Sequence, residues 1–138
     1  MRVLLDTNLL VAAHASLAAL ALEGLPADQP LEFFCSALSL AEVQEGEFSS
    51  NEAVRLRAPL DYVRAAELFG EALPFDDLAA CLYRIVCRAV AERGRQVGRA
   101  RRVDLMIAAT ALANDCALAT RNIADFRGLE SVLTVVRL

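Results

Sequence analysis

Acidic residues stand where short apolar runs of this sequence end or where longer apolar runs begin. Asp6 follows Val3–Leu5, and Asp104 precedes the largely apolar stretch 105–112. Asp125 comes shortly after the run 117–119. In an α/β sheet ligands bind outside the carboxyl ends of the strands, so these carboxylates are expected to converge. Because clustered carboxylates repel one another unless a cation or a proton neutralises them, the pattern predicts a hard metal ion and chemistry on phosphate.

Each acid also has a structural explanation when it is taken alone. Asp6 in Asp6-Thr7-Asn8 can be a plain helix cap, which is a common role for Asp. Glu42 lies inside the otherwise apolar stretch 38–43 and can be a surface residue. The joint placement of these acids at strand ends and helix starts is what favours a shared site.

The elements that must position these acids alternate between strands and helices. The strands are short apolar runs, predicted at 3–5, 31–35, 117–119 and 132–136. Five helices are predicted: at 9–22, after a cap at Ser36 or Ser39, at 51–72, from Asp76 or Asp77 to Gly94, and at 104–114. The helix at 51–72 is predicted to be interrupted at Pro59. This alternation indicates an α/β fold whose central sheet is mainly parallel and flanked by helices on both faces.

Two of these elements allow a prediction of burial. The unbroken apolar run Phe33-Phe34-Cys35 indicates a strand covered on both faces. The helix after Asp76 or Asp77 is amphipathic. Its predicted core face consists of Leu78, Cys81, Leu82, Ile85, Val86 and Ala89, and another face carries Arg84, Arg88, Glu92 and Arg95.

Composition bounds the class of protein. A chain of 138 residues fits one domain, predicted to span residues 1–138. Its four cysteines show no metal or disulfide spacing and are interpreted as small buried apolar groups in a reducing cytosol. There is no charged leader and no apolar run of membrane-spanning length, which predicts a cytoplasmic protein without membrane contact.

The charges are distributed unevenly along the chain. Residues 1–80 contain thirteen acids and four Arg, a net charge of −9, whereas residues 81–138 contain ten Arg and five acids, a net charge of +5. Seven of those Arg lie between positions 84 and 102 with Glu92 as the only acid. Such a basic strip is compatible with a nucleic acid backbone as partner and equally with a solvated helix face.

Four sequence blocks, in this order, strongly resemble the PIN domain. They are D-T-N at Asp6–Asn8, S-x-x-x-x-x-E at Ser36–Glu42, D-x-x-I-A-A-x-A-L at Asp104–Leu112 and T-R-N-x-x-D-F at Thr120–Phe126. The resemblance covers nearly the whole chain and implies a single PIN-like domain. Within the family, the chain is similar to the VapC-type toxins of bacterial toxin–antitoxin modules.

The resemblance implies a Mg²⁺- or Mn²⁺-dependent endoribonuclease. Matched position by position, the acids that hold the metal and carry catalysis are Asp6, Glu42 and Asp104, with Asp125 as a weaker or outer ligand. Many PIN domains place the fourth acid where this sequence has Asn122. Four further residues are expected to orient the carboxylates and the metal-bound water without binding the metal themselves. They are Thr7, Asn8, Thr120 and Asn122.

The same resemblance implies that the metal activates water for in-line attack on RNA, leaving 5′-phosphate and 3′-hydroxyl ends. His14, the only histidine, lies among alanines and is not expected to act as a general base. The link between Gly94 and Asp104 is longer and more basic than the family pattern. Within it, Arg99, Arg101 and Arg102 are predicted to bind the RNA backbone.

VapC-like toxins form homodimers and are inhibited by a small cognate antitoxin, so a homodimer or a toxin–antitoxin hetero-oligomer is expected. Apolar residues that could form the antitoxin groove are Leu40, Val43, Phe48, Val54, Leu56, Leu60, Tyr62 and Phe69. The same side chains could instead fill the chain's own core.

Three other functions compete with this one. A nucleotide-binding module is disfavoured because neither G-x-G-x-x-G nor G-x-x-x-x-G-K-[ST] is present. A phosphatase with an aspartyl nucleophile would need a second Asp at the position of Asn8. A PIN fold kept only for binding RNA or protein, without catalysis, is the main alternative, although all three principal acids are present.

Overall fold

Four parallel strands form the central sheet in the computed structural model, which describes residues 1–12 and 25–138. The strands are β1 (Arg2–Leu5), β2 (Glu32–Phe34), β3 (Ala117–Thr120) and β4 (Val135–Arg137), in the order β2-β1-β3-β4. The two central strands, β1 and β3, pair Leu4 with Leu118 and Leu5 with Ala119. Every pairing between these strands is parallel, so the predicted parallel sheet is confirmed.

Helices connect the strands in the described ranges. They are α1 (Thr7–Ala12), α2 (Ala37–Glu45), α3 (Glu52–Phe69), α4 (Asp77–Glu92) and α5 (Arg102–Ala113), with 3-10 turns at Gly46–Phe48, Arg99–Arg101 and Ile123–Phe126. None of these helices is long and apolar enough to cross a membrane. The predicted continuation of the first helix to residue 22, with His14, lies outside the described residues.

The core lies on both faces of the sheet because alternate strand residues point in opposite directions. Leu4 and Leu118 pack into the larger cluster with α4 and α5, which includes Val86, Val90 and Ile107. On the other face, residues of β1 and β3 pack with a residue of α1 in the cluster Val3, Leu5, Ala119 and Leu9. The prediction of helices on both faces is therefore confirmed.

The predicted interruption at Pro59 is wrong, since α3 runs without a break from Glu52 to Phe69. A proline inside a helix lacks the N–H that would bond to the carbonyl four residues earlier. That carbonyl belongs to Arg55, which is exposed to solvent, so water can replace the lost bond. The helix ends before residue 72 because Gly70 adopts a left-handed φ of 63°.

The predicted core face of α4 is only partly correct. Val86 and Ala89 are buried as predicted, together with Ala79 and Val90. Leu78 and Ile85 are instead 52% and 44% exposed, and Cys81 is exposed as well. Nearly every position between Leu78 and Ala91 that is not Arg or Tyr is apolar, so the spacing alone does not select one face. Packing against α5 selects the face with the smaller residues.

Smaller differences concern the ends of elements. Helix α5 begins at Arg102, two residues before Asp104, which places that acid in the first turn. The last strand begins at Val135 because residues 129–133 form a turn in which Leu133 donates its N–H to the carbonyl of Leu129. Strand β2 lies at the edge of the sheet, so its two phenylalanines are half-buried rather than covered on both sides.

The four cysteines are free, in agreement with the sequence-based interpretation. Cys35 and Cys116 are buried, and burial raises the pKa of the Cys35 thiol to about 11. A thiol with that pKa stays protonated and behaves as an apolar group. Cys87 is half-buried, and Cys81 is exposed because it lies on the outer side of α4, so the predicted burial holds for only two of the four cysteines.

Candidate acidic site

Asp6 lies at the carboxyl end of the central strand β1 and is 6% exposed. Its backbone N–H extends the sheet by donating to the carbonyl of Ala119. Its side chain accepts two hydrogen bonds, at 2.8 Å from the N–H of Thr7 and at 2.9 Å from the hydroxyl of Thr120. Burial raises the pKa of this carboxyl, and the two hydrogen bonds oppose the rise. The carboxylate is therefore fixed in orientation by its neighbours.

Glu42 reaches the same end of the sheet from α2. The cap at Ser36 starts this helix, and its Oγ accepts a hydrogen bond from the N–H of Ser39. One turn further on, Glu42 Oε2 accepts a hydrogen bond from the hydroxyl of Thr7. Burial raises the pKa of Glu42, and the charge of Asp6 adds to the rise. Thr7 thus joins the first and second predicted acids.

Asp104 completes the group from the first turn of α5, where the helix dipole favours a negative charge. Burial raises the pKa of its carboxyl to about 6, and the charges of Asp6, Glu42 and Asp125 add to the rise. Arg101 acts in the opposite direction. Three carboxylates from β1, α2 and α5 therefore repel one another across one site.

Asp125 lies at the margin of this site, in the 3-10 turn Ile123–Phe126 that follows β3. Its side chain is 42% exposed. One carboxylate oxygen accepts from Arg101 Nη2 at 3.1 Å, and the other accepts from Asn122 Nδ2 at 2.6 Å. Phe126 is buried and anchors the turn in the core.

Three of the four predicted orienting residues join a single network. Thr7 contacts Asp6 and Glu42, and Thr120 donates to Asp6 while accepting from the N–H of Asn122. Asn8 differs from these residues. It is exposed on the first turn of α1, and no hydrogen bond links its side chain to another residue in the described part of the chain.

The donor set suits a hard cation such as Mg²⁺ or Mn²⁺. Carboxylate oxygens are the ligands that Mg²⁺ takes. Besides burial, the charge of Asp6 raises the pKa of Glu42, and the charges of Asp6 and Glu42 raise the pKa of Asp104, a repulsion that a divalent cation would relieve. Within residues 1–12 and 25–138, no three acidic, histidine or cysteine side chains lie close enough to hold one ion directly. Mg²⁺ usually keeps several waters and binds one or two carboxylates directly, so the set fits an ion held partly through water.

The three arginines predicted to bind RNA differ in their surroundings. Arg99 and Arg102 are exposed, whereas Arg101 turns inward to Asp125. Arg95 ties the same loop to the 3-10 turn by donating to the carbonyl of Ala124. The 93–101 loop is therefore fastened beside the acidic site.

A basic cavity that the sequence pattern did not predict lies next to this loop. It has a volume of about 580 Å³ and is lined by Arg93, Arg95, Arg127, Gly128 and Glu130. Arg127 also lines a neighbouring cavity of about 340 Å³ with Arg121 and Arg137. The uneven charge of residues 81–138 was the available signal, but the sequence spacing of these arginines did not show that they meet.

The predicted apolar groove is only partly open to solvent. Phe48, Leu56 and Leu60 are 88%, 72% and 48% exposed. Val43 is buried in a cluster with Leu10 and Cys35, so it belongs to the chain's own core. The remaining members are half-buried, namely Leu40, Val54, Tyr62 and Phe69.

Comparisons with known proteins give the same fold. The sequence profile of the PIN domain matches residues 3–129. The structure is similar to VapBC2 from Rickettsia felis, solved bound to a promoter DNA fragment, with a TM-score of 0.73 and 22% sequence identity over 100% of this chain and 99% of that chain. No match is found among curated protein sequences.

Two further structures have higher sequence identity. VapBC-5 from Mycobacterium tuberculosis, a member of the VapBC family of toxin–antitoxin systems, gives a TM-score of 0.71 and 26% identity over 99% of this chain and 97% of that chain. FitAcB from Neisseria gonorrhoeae gives a TM-score of 0.66 and 25% sequence identity over 96% of this chain and 95% of that chain. These findings confirm the resemblance that the four sequence blocks indicated. Because the family profile matches nearly the whole length, the chain belongs to the PIN domain family.

Proposed function

We propose that this protein is the VapC-type toxin of a toxin–antitoxin module and acts as a metal-dependent endoribonuclease. The observation that carries the proposal is the convergence of Asp6, Glu42 and Asp104 at the carboxyl end of a parallel sheet. Besides burial, the charge of Asp6 raises the pKa of Glu42, and the charges of Asp6 and Glu42 raise the pKa of Asp104. Membership of the PIN family and the structural likeness to VapBC proteins support it.

Asp6, Glu42 and Asp104 would hold the metal, and Asp125 lies at the margin of the site, where the resemblance implied a weaker or outer ligand. A bound Mg²⁺ or Mn²⁺ supplies a polarised water and neutralises charge at the phosphate. The chain's own contribution is orientation, because the hydroxyls of Thr7 and Thr120 fix two of the carboxylates. The buried strand ends β1 and β3 keep these groups in place.

RNA is the proposed substrate, and the basic surface supports it. Exposed Arg99 lies in the 93–101 loop next to the acidic site, and exposed Arg102 is the first residue of α5. The cavity lined by Arg93, Arg95 and Arg127 extends the positive surface. Arginine presents a planar fork of donors that suits phosphate oxygens. Action on RNA is also the basis for proposing a cytoplasmic location.

Two apolar surfaces support the proposed partners. Phe48 in the 3-10 turn after α2, together with Leu56 and Leu60 on α3, offers exposed apolar surface for a small cognate antitoxin. Leu78 and Ile85 on α4 form a separate exposed surface suited to a second copy of the chain. Together they support a homodimer or a toxin–antitoxin hetero-oligomer, since exposed apolar patches mark interaction sites.

The test is cleavage of total bacterial RNA by the purified, antitoxin-free protein with Mg²⁺, Mn²⁺ or EDTA, beside an Asp6→Asn control. Discrete products that require the metal and disappear in the variant would support the ribonuclease. Products with 5′-phosphate and 3′-hydroxyl ends would support the proposed chemistry. A folded protein that cuts no RNA with either metal would favour the alternative, a PIN fold that only binds RNA or protein.

A further inference from the structure

Arg101 differs from the neighbouring arginines because its guanidinium lies at the acidic site. Its side chain is 18% exposed, whereas Arg99 and Arg102 are exposed. Arg101 Nη2 donates to Asp125. Arg101 Nη1 is buried and has no hydrogen-bond partner within residues 1–12 and 25–138. A buried charged donor without an acceptor is costly, so this nitrogen is available to an acceptor that the described residues do not supply.

In this arrangement Asp125 pairs with Arg101 rather than with a metal. Both of its carboxylate oxygens are engaged, one by Arg101 and the other by Asn122. Its negative charge offsets the guanidinium, so Arg101 can stand near Asp104 without cancelling the negative field that a cation needs. Arg101 directly precedes α5, and its charge acts on the carboxyl of Asp104 in the first turn of that helix.

We propose that Arg101 is a catalytic residue that binds a non-bridging oxygen of the scissile RNA phosphate through Nη1. Asp125 and Asn122 are positioning residues that hold its guanidinium in place. This inference rests on the proposed ribonuclease function and deepens it by naming the phosphate contact. It also assigns Asp125 to the arginine instead of to the metal.

The chemistry needs no proton from Arg101. In the hydrolysis, the oxygen of water bonds to phosphorus and the bond from phosphorus to the 3′ oxygen breaks. The attacking water loses one proton, and the departing 3′ oxygen gains one, so the protons balance. Arg101 stabilises the charge that builds on the phosphate oxygens, a role that a fixed fork of donors performs better than a flexible ammonium.

The first experiment measures binding without cleavage. A fluorescein-labelled short single-stranded RNA of mixed sequence is titrated in EDTA over a salt series with wild type, Arg101→Ala, Arg101→Lys and the exposed control Arg64→Ala. Loss of one phosphate contact should reduce the slope of log affinity against log salt by about 0.7 in Arg101→Ala. Arg101→Lys keeps the charge and should keep the slope. An unchanged slope in Arg101→Ala would contradict the phosphate contact.

The second experiment measures single-turnover cleavage of an RNA that the wild type cuts. Arg101→Lys should bind like the wild type yet cleave about 100-fold more slowly, because lysine lacks the fixed fork of N–H donors of the guanidinium. Asp125→Asn should also slow cleavage, since it loosens the guanidinium. Cleavage by Arg101→Lys at the wild-type rate would overturn the inference. Faster cleavage by Arg101→Ala would show instead that the arginine is an inhibitory counter-ion.

The third experiment separates Asp125 from the metal. Mn²⁺ binding is followed by electron paramagnetic resonance in the wild type, Asp125→Asn and Asp104→Asn, after circular dichroism has shown that each is folded. Asp125→Asn should bind Mn²⁺ like the wild type, and Asp104→Asn should lose it. Loss in Asp125→Asn would return that residue to the metal. A wild type that cuts no RNA with either metal would overturn the proposed function and this inference together, whereas normal cleavage by Arg101→Lys overturns the inference alone.

Discussion

Asp104 is the residue at which the charges of the acidic site act together. Burial and three neighbouring carboxylates all favour its protonated form, and only Arg101 opposes them. Its pKa of about 6 lies above the ordinary value of 3.8. The metal-free site is therefore a local source of instability that the fold tolerates.

Asp104→Asn is expected to be more stable than the wild type at neutral pH without metal. Because the pKa of Asp104 is higher in the folded protein, its protonated form favours the folded state. This contribution to stability is fully present below pH 3.8 and is lost as the pH rises through about 6. The advantage of the variant should therefore appear between about pH 4 and about pH 6. Thermal unfolding of both proteins in EDTA over this range measures it.

Mg²⁺ provides the control for this prediction. At neutral pH the ion should raise the unfolding temperature of the wild type, because it binds only the folded site, and should have little effect on Asp104→Asn. The variant should also lose RNA cleavage while staying folded. Equal stability of the two proteins across the whole pH range would contradict the proposed repulsion.

At the scale of elements, the start of α2 decides where Glu42 lies. Ser36 is buried, and its hydroxyl satisfies the N–H of Ser39 at the first turn. Replacing it with Ala should lower the free energy of unfolding by about 1–2 kcal/mol, as loss of a helix cap does. Urea denaturation measures the change. Cleavage should fall as well, because Glu42 is carried by this helix.

Ser50→Ala is the matched control for the cap, since Ser50 is exposed in the turn before α3. It should change the stability by less than about 0.5 kcal/mol. If Ser36→Ala were no less stable than this control, the hydroxyl would not be what holds the start of α2.

The loop before α5 carries the exposed part of the proposed RNA surface. Replacing Arg99 and Arg102 together with Ala should weaken binding of single-stranded RNA and lower the salt slope by about 1.4, because each phosphate contact contributes about 0.7. Fluorescence anisotropy in EDTA measures both. Arg64→Ala removes a charge from α3, outside this loop, and should leave the slope close to that of the wild type.

At the scale of the whole molecule, two apolar surfaces are predicted to bind different partners. Leu56→Asp should disrupt the antitoxin complex while the chain still dimerises, because Leu56 is 72% exposed beside α2. Ile85→Asp on α4 should do the reverse. Co-purification with the proposed antitoxin and sedimentation of the chain alone measure the two effects. Neither change should unfold the protein, since both side chains already meet solvent.

The two variants serve as controls for each other. If Leu56→Asp left antitoxin binding unchanged, the antitoxin would have to bind elsewhere on the surface. If both variants lost both assemblies, the two surfaces would act as one interface.

The sequence determined the parallel sheet and the order of its acids. Short apolar runs that alternate with helical patterns leave few topologies, so the amino-acid pattern alone could place Asp6 and Asp104 at one edge. The sequence also limited two helix caps to Ser36 or Ser39 and to Asp76 or Asp77, since a cap depends on hydrogen bonds within one turn. The structure shows that Ser36 and Asp76 are the caps. These features depend on neighbours close in the chain.

Only the tertiary structure decided which face of α4 is buried and what Arg101 contacts. Leu78 and Ile85 had the spacing of core residues, yet packing against α5 left them exposed. Arg101 and Asp125 are 24 positions apart, and their ion pair exists because α5 and the turn after β3 meet at the acidic site. Contacts between distant segments depend on how whole elements pack, and local patterns in the sequence do not encode that packing.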